Sequence, residues 1–359
     1  MSDNNIYGSF EAAQERSDRL ELDLIENPQK YRVLTGDRPT GALHIGHLFG
    51  SLQNRVRLQS LGLETFIVIA DYQVLTDRDV FKNIAETIRG LVIDYLSVGL
   101  DPDNSKTYIF PHSHVPELNQ LLLPFLTLVT NAELDRNPTV KEEITASGLK
   151  SINAGMYTYP VHQVADILFC KGNVVPVGKD QLPHLEISRT IARRFNNKYA
   201  KKNRLFPEPA ALLSKSPTIL GLDGGQKMSK SRNNTIMLAA TADETAKLIK
   251  RAKTDMERNI TYDPINRPEV SNLLLIASLS TGKKPEEIAA EIGEQGAGKL
   301  KQIVTEALNE CLAPIRKRRI EIENDHGYVH DVLVKGITKA REEAVKTLDE
   351  VRTAMNMVI

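Results

Sequence analysis

Two short stretches of this chain carry residue types suited to holding a polyphosphate. In "TGDRPTGALHIGHLFG" (35–50), His44 and His47 stand three residues apart. At a helix start that spacing puts both imidazoles on one face of the first turn, beside backbone N–H groups without intrahelical partners and the positive end of the dipole. Such a place attracts phosphate. Gly41, Gly46 and Gly50 lack side chains and let a base or ribose approach the backbone. In "GGQKMSKSRNN" (224–234), Lys227 and Lys230 alternate with Ser229 and Ser231 after a glycine pair, with no apolar partner in view. Lysines on such a loop are flexible point charges able to fold over a nucleotide's phosphates, and the hydroxyls add hydrogen bonds. Singly, each stretch reads as well as a surface helix start or a solvated basic loop. In one chain and in this order they point to nucleotide chemistry.

A third candidate is Asp166 in "VADILF", a carboxylate between Val164, Ala165, Ile167 and Leu168 on an otherwise apolar helix face. A buried acid must have a partner. A helix cap or a nearby lysine would serve, and so would a donor on a ligand.

The elements that must position these residues follow from the apolar pattern. "YRVLTG" (31–36), "ETFIVIAD" (64–71), "KTYIF" (106–110) and "VVPVG" (174–178) read as buried strands, alternating with helical spacing at 43–61, 78–98 and 182–196. Strands alternating with helices imply a parallel, doubly wound α/β sheet with ligands at the strands' carboxyl ends. Residues 115–158 read as an inserted, mostly helical connecting segment. From Thr241 onward the pattern is amphipathic helices with no convincing strand, including a long one from Gly298 to about Ile322. The predicted organisation is a polar N-terminal extension (1–30), exposed or a short helix, a catalytic unit (31–240) and an all-α C-terminal unit (241–359).

Composition allows this and excludes little. The 359 residues suffice for two units, and 46 basic residues balance 46 acidic ones, so a polyanion must be met by local patches. Cys170 and Cys311 lie far apart without metal-ligand spacing, and no apolar run approaches membrane-spanning length. The expectation is a cytoplasmic protein without disulfides and with no membrane partner.

His-Ile-Gly-His followed by Lys-Met-Ser-Lys-Ser is the paired signature of class I aminoacyl-tRNA synthetases. From Tyr31 onward the chain resembles bacterial tryptophanyl-tRNA synthetases, also in "YPVHQVADILF" (159–169), "VVPVGKDQLPHLEISR" (174–189), "RAKTD" (251–255) and "VSNLL" (270–274). The resemblance implies a Rossmann-like catalytic fold. It also implies activation of L-tryptophan by ATP and transfer to tRNA(Trp), with Mg²⁺ bound mainly through the phosphates and no metal ligand from the protein. In that family Arg38, Pro39, Thr40, Gly46 and His47 would line the ATP site. His44 and His47 would donate to the reacting phosphate, while Lys227 and Lys230, with Met228, Ser229 and Ser231, would close over the outer phosphates. Gly178, Lys179 and Asp180 match a ribose-contacting turn, and Ile219, eight residues before Lys227, a backbone contact to adenine. Asp166 would accept from the indole N–H, Tyr159 and Gln181 would contact the α-amino group, and Val175 and Val177 would wall the ring.

Two pocket positions depart from the common bacterial pattern: Gln163 stands for a methionine and Gln73 for a histidine. Tyr159, Gln163 and Asp166 also resemble the pocket helix of tyrosyl-tRNA synthetases, so tyrosine is the alternative substrate. A duplicate synthetase turned regulator is a second alternative, against which the intact His44, His47, Lys227 and Lys230 speak. Two basic stretches, residues 189–204 and "RKRR" (316–319), are candidate phosphate contacts, the second within a C-terminal region that the resemblance makes anticodon-binding. The family's homodimers suggest the leucine-rich stretch 115–134 as a contact, though it reads equally as core.

Overall fold

The computed structural model describes residues 10–76, 83–137, 153–214, 216–229, 232–325 and 327–358. Five strands, β1 (Arg32–Asp37), β2 (Glu64–Ile69), β3 (Thr107–Pro111), β4 (Val174–Val177) and β5 (Ala210–Leu213), form one parallel sheet in the order β3-β2-β1-β4-β5. The chain winds outward from β1 in one direction, then returns to place β4 on its other side. The carboxyl ends of β1 and β4 therefore border a crevice with no connection crossing it. The apolar runs fill the sheet as their composition requires: Phe66, Phe110 and Phe169 are fully buried and meet edge to face, Phe66 and Phe169 with centroids 5.7 Å apart. Each such ring contributes about 1.5–3 kcal/mol by its burial alone.

β5 is the strand that the sequence pattern does not reveal. Its four residues follow Pro207 and Pro209 and are too short for a periodicity. The N-terminal segment takes the helical of its two expected forms: Phe10–Glu26 is a helix packed along β5, with Ala13, Ser17 and Leu24 buried and Ser17 Oγ accepting from the Leu213 N–H at 2.8 Å. That bond occupies a donor on the sheet's edge strand and covers it.

The helix after β1 runs continuously through Ile45–His47, a π-turn at Leu48–Leu52, and Gln53–Ser60. The next helix spans Ile84–Ser97, its predicted start at 78–82 lying outside the described residues. In the connecting segment, Pro116–Asn119, Leu122–Leu126 and Asn131–Asp135 are short helices; Leu118, Leu121, Phe125 and Leu128 are core, while Leu123 is 72% exposed. Residues 138–152 lie outside the described residues, and Ala154–Leu168 is the pocket helix.

After residue 240 come Ala242–Arg251, Pro268–Thr281, Pro285–Ile292, Gly296–Asn324 and Tyr328–Ala354, all helices. The last two reach back to the sheet unit. Gly296–Asn324 packs against Ile84–Ser97, and Tyr328–Ala354 packs against β3. There Gly336 comes so near the strand that a Cβ would stand 1.9 Å from the Ile109 carbonyl oxygen. Among the described residues no helix is long and apolar enough to cross a membrane.

Candidate active site

The crevice opens into a cavity of about 1050 Å³. Its walls come from the ends of β1 and β4, the first turn of the Ile45–His47 helix, the Ala154–Leu168 helix and the segment 214–228. Of the residues singled out from the sequence, Arg38, His44, Gly46, His47, Gln73, Tyr159, Gln163, Asp166, Val175, Val177, Gly178, Lys179, Asp180, Gln181, Ile219, Lys227 and Met228 line it. Pro39 and Ser229 follow lining residues in the chain without lining it themselves, and the Thr40 N–H donates to Arg38 O at 2.8 Å. Lys230 and Ser231 lie outside the described residues.

At one end the two histidines meet with ring centroids 3.9 Å apart. His44 caps the helix, its Nδ1 accepting from the Gly46 N–H at 3.1 Å, while His47 Nδ1 accepts from the His44 N–H at 3.2 Å. A neutral imidazole whose Nδ1 accepts carries its proton on Nε2, so each ring is set as an Nε2–H donor. The expected open amides are absent: Ile45 N–H donates to Ile236 O at 3.0 Å and His47 N–H to His44 O at 2.8 Å. Anion-binding capacity at this helix start rests on side chains, with the amides used to orient them.

The lysine-serine loop is anchored, which corrects the expectation of a segment without apolar partners. Met228 is 4% exposed and belongs to the main core, and its N–H donates to Ile219 O. Lys227 bridges Leu220 in antiparallel fashion, Gly221 N–H donates to Gln226 O at 2.8 Å, and Asn234 Oδ1 accepts from the Ser229 N–H at 2.9 Å. Gly224 adopts φ +74° and leaves only 2.0 Å between a built Cβ and Glu269 Cγ, so its glycine serves the turn. This hairpin brings Ile219 and Lys227 together on the cavity wall. Behind it, His44 pairs with Met237, and Leu238 N–H donates to Leu43 O at 3.0 Å, tying the two signature stretches to each other.

At the other end Tyr159, Gln163 and Asp166 form one stripe of the Ala154–Leu168 helix, as their spacing requires. Asp166 is 2% exposed, and its partner is neither a cap nor a lysine but His112, whose Nδ1 lies 3.0 Å from Asp166 Oδ1. The Tyr72 N–H donates to His112 Nε2 at 2.9 Å, which places the His112 proton on Nδ1, directed at Asp166. Burial opposes a charge on His112, but Asp166 and Asp71 outweigh it and raise its pKa above the ordinary histidine value. Asp71 in turn accepts from the Ser113 and Tyr72 amides. Beside them His162 Nε2 meets Asn119 Oδ1 at 2.6 Å, and burial lowers its pKa. His112, His162 and Asp166 bring ligand atoms within 4.8 Å of one another, yet both His112 nitrogens and His162 Nε2 are committed to these protein partners.

His184, also a wall residue, sits 3.2 Å from the Tyr159 hydroxyl, and burial pushes its pKa down to about 4. At the end of β1, Asp37 accepts from Arg55 at 2.7 Å and from the Tyr95 hydroxyl at 2.6 Å. Burial would raise the Asp37 pKa, but Arg55 and Tyr95 hold it below the usual range. Sequence reasoning missed His112, His184 and Arg55. The signal for His112 is its place directly after β3, at the carboxyl end of a parallel strand.

Residues 26–313 match the family described as tRNA synthetases class I (W and Y). The chain belongs to that family. It is 42% identical to the tryptophan--tRNA ligase of Streptococcus pneumoniae serotype 4, over 90% of this chain and 97% of the other. It is 43% identical to that of Clostridium longisporum, over 90% and 96%. Its fold is similar to the crystal structure of tryptophanyl-tRNA synthetase from Campylobacter jejuni complexed with ADP and tryptophan, with a TM-score of 0.77 and 30% identity over 90% of this chain and 99% of that one. The synthetase family's two signatures are the stretches that meet at one end of the cavity.

Several arginines of the two basic stretches are engaged by protein groups, while Arg193, Lys198, Lys201, Lys202, Arg204, Lys317 and Arg318 are exposed. Arg316 donates to Ala240 O and Thr245 Oγ1, Arg318 to Ser97 O, and Arg319 pairs with Asp94. Arg189, Arg193 and Arg194 pair with Glu186, Glu208 and Glu133. Charge runs show which residues are basic but not which acids the fold brings to them.

Proposed function

We propose that this chain, which is a tryptophan--tRNA ligase, selects its amino acid through Asp166 accepting the indole N–H, and the burial of that carboxylate on the cavity wall is the observation that carries the choice. One carboxylate oxygen is held by His112, and the group lines the cavity together with Ile167 and Val175. A charged acceptor of this kind contributes about 1.5–3 kcal/mol, and a substrate without the donor leaves it unpaired. Tyr159 and Gln181 hold the α-amino group; Gln73 and Gln163 complete the pocket.

Tryptophan's carboxylate then attacks the α-phosphate of ATP and pyrophosphate departs, so no protein nucleophile is needed and catalysis is positioning and charge stabilisation. His44 and His47 donate Nε2–H to the phosphate oxygens, each such donor being worth about 3 kcal/mol in the transition state. Arg38, Gly46 and Ile219 hold the nucleotide, Asp180 the ribose, and Lys227 and Lys230 the outer phosphates. Magnesium bound with the nucleotide would supply charge that offsets that of the phosphates. The carboxylates lining the cavity support this, since Asp37 is engaged by Arg55, Asp166 by His112 and Asp180 by the Gln181 side chain. In a second step a terminal ribose hydroxyl of tRNA(Trp) attacks the adenylate's carbonyl carbon, forming an ester while the acyl–phosphate bond breaks and AMP leaves, with residues 241–359 binding the anticodon region. The working unit is a cytoplasmic homodimer joined through the segment carrying the exposed Leu123.

Charging of tRNA by the purified protein tests the whole reading: attachment of tryptophan to tRNA(Trp) is expected, and adenylate formation without charging would favour a regulatory duplicate.

A further inference from the structure

The helix Gly296–Asn324 holds both strands of the short pairing that joins the two signature stretches. On one side, Asp94 of the Ile84–Ser97 helix is 1% exposed; its Oδ2 accepts from the Leu43 N–H at 2.8 Å, and its Oδ1 is paired with Arg319. Leu43 immediately precedes the capping His44. On the other side, Arg316 Nε donates to Ala240 O at 2.7 Å, two residues beyond Leu238, whose N–H donates to Leu43 O. Arg319 and the Leu43 amide each hold one oxygen of this buried carboxylate, so both bear on its position.

We propose that Asp94 and Arg319 are positioning residues for the adenylate-forming step, fixing through the Leu43 amide the register of His44 and His47 against the loop that carries Lys227. Neither touches the cavity. Both link the C-terminal helices to the catalytic groups, so Arg319, together with Arg316, serves the active site from behind. The inference rests on the reading above, in which the two histidines act on the phosphate.

The test uses the full chain in tryptophan-dependent ATP–pyrophosphate exchange, with thermal unfolding run alongside. Arg319→Met removes the guanidinium from the buried Asp94 and is expected to lower kcat about 10- to 100-fold, with KM for tryptophan unchanged. Asp94→Asn in the Arg319→Met background restores most of the rate, because the amide oxygen still accepts from Leu43 and no longer needs a guanidinium. If Arg319→Met fails to fold, Arg319→Lys is compared with the double variant in the same way. A fall in melting temperature with kcat per folded molecule unchanged overturns the proposal, as does a double variant as slow as the single one. His47→Ala separates the two claims: full exchange activity in that variant overturns the role of the histidines themselves.

Discussion

The Nδ1 of His112 lies 3.0 Å from the Oδ1 of Asp166, and the Tyr72 amide on the far side of the ring fixes the proton between them. On the proposed reading, this bond aims the second oxygen of Asp166 at the substrate. His112→Leu then raises KM for tryptophan by roughly 10- to 100-fold and leaves KM for ATP unchanged. His112→Asn, whose amide nitrogen occupies the place of Nδ1, retains most of the affinity. Steady-state exchange kinetics with each substrate varied in turn makes the comparison.

Met228 anchors the lysine-serine loop, so Met228→Ala acts on both stability and nucleotide use. Removing a side chain this deep in the core costs about 2–5 kcal/mol if the whole fold feels it. A raised KM for ATP with a nearly unchanged KM for tryptophan is the expected kinetic pattern, read from exchange assays at varied ATP.

His184 makes folding sensitive to acid. Its folded pKa of about 4 lies below the ordinary value of 6.5, so below pH 6.5 the unfolded chain takes up a proton that the folded chain refuses. Stability is therefore flat above pH 6.5 on this account and lost as the pH falls toward 4, by up to about 3 kcal/mol. His112, with its raised pKa, works in the opposite sense. Urea unfolding of wild type and His184→Gln across pH 4–8 isolates the effect: the difference between them shrinks as the pH drops.

Gly336 is predicted to be intolerant of any side chain. A Cβ there would overlap the Ile109 carbonyl at 1.9 Å, and both partners are backbone. Gly336→Ala lowers the unfolding free energy by several kcal/mol, on the order of other overpacked core sites, as denaturant titration would measure.

β2 was legible as a near-continuous apolar run and β1, β3 and β4 as short runs centred on aliphatic, β-branched or aromatic residues, and the histidine and lysine signatures because their spacing is local. What sequence does not carry is the identity of distant partners. His112 reaches Asp166 across 54 positions and Arg319 reaches Asp94 across 225, so neither pairing leaves a periodic trace. Asp166 was recognisable as an acid in need of a partner, and the fold supplies a histidine where a lysine, a cap or a ligand was in view. Met228 reads as a solvated loop residue until the hairpin folds it into the core, and the arginines 316, 318 and 319 read as a nucleic-acid face until the helix is docked.

The central claim is that Asp166 selects tryptophan through its ring N–H. ATP–pyrophosphate exchange with the purified protein tests it, using tryptophan, tyrosine and a tryptophan analogue whose ring nitrogen is replaced by sulfur. Exchange with tryptophan, with kcat/KM for the sulfur analogue lower by roughly 10- to 100-fold and negligible for tyrosine, is the predicted result; exchange with tyrosine alone, or equal rates with tryptophan and its sulfur analogue, would contradict it.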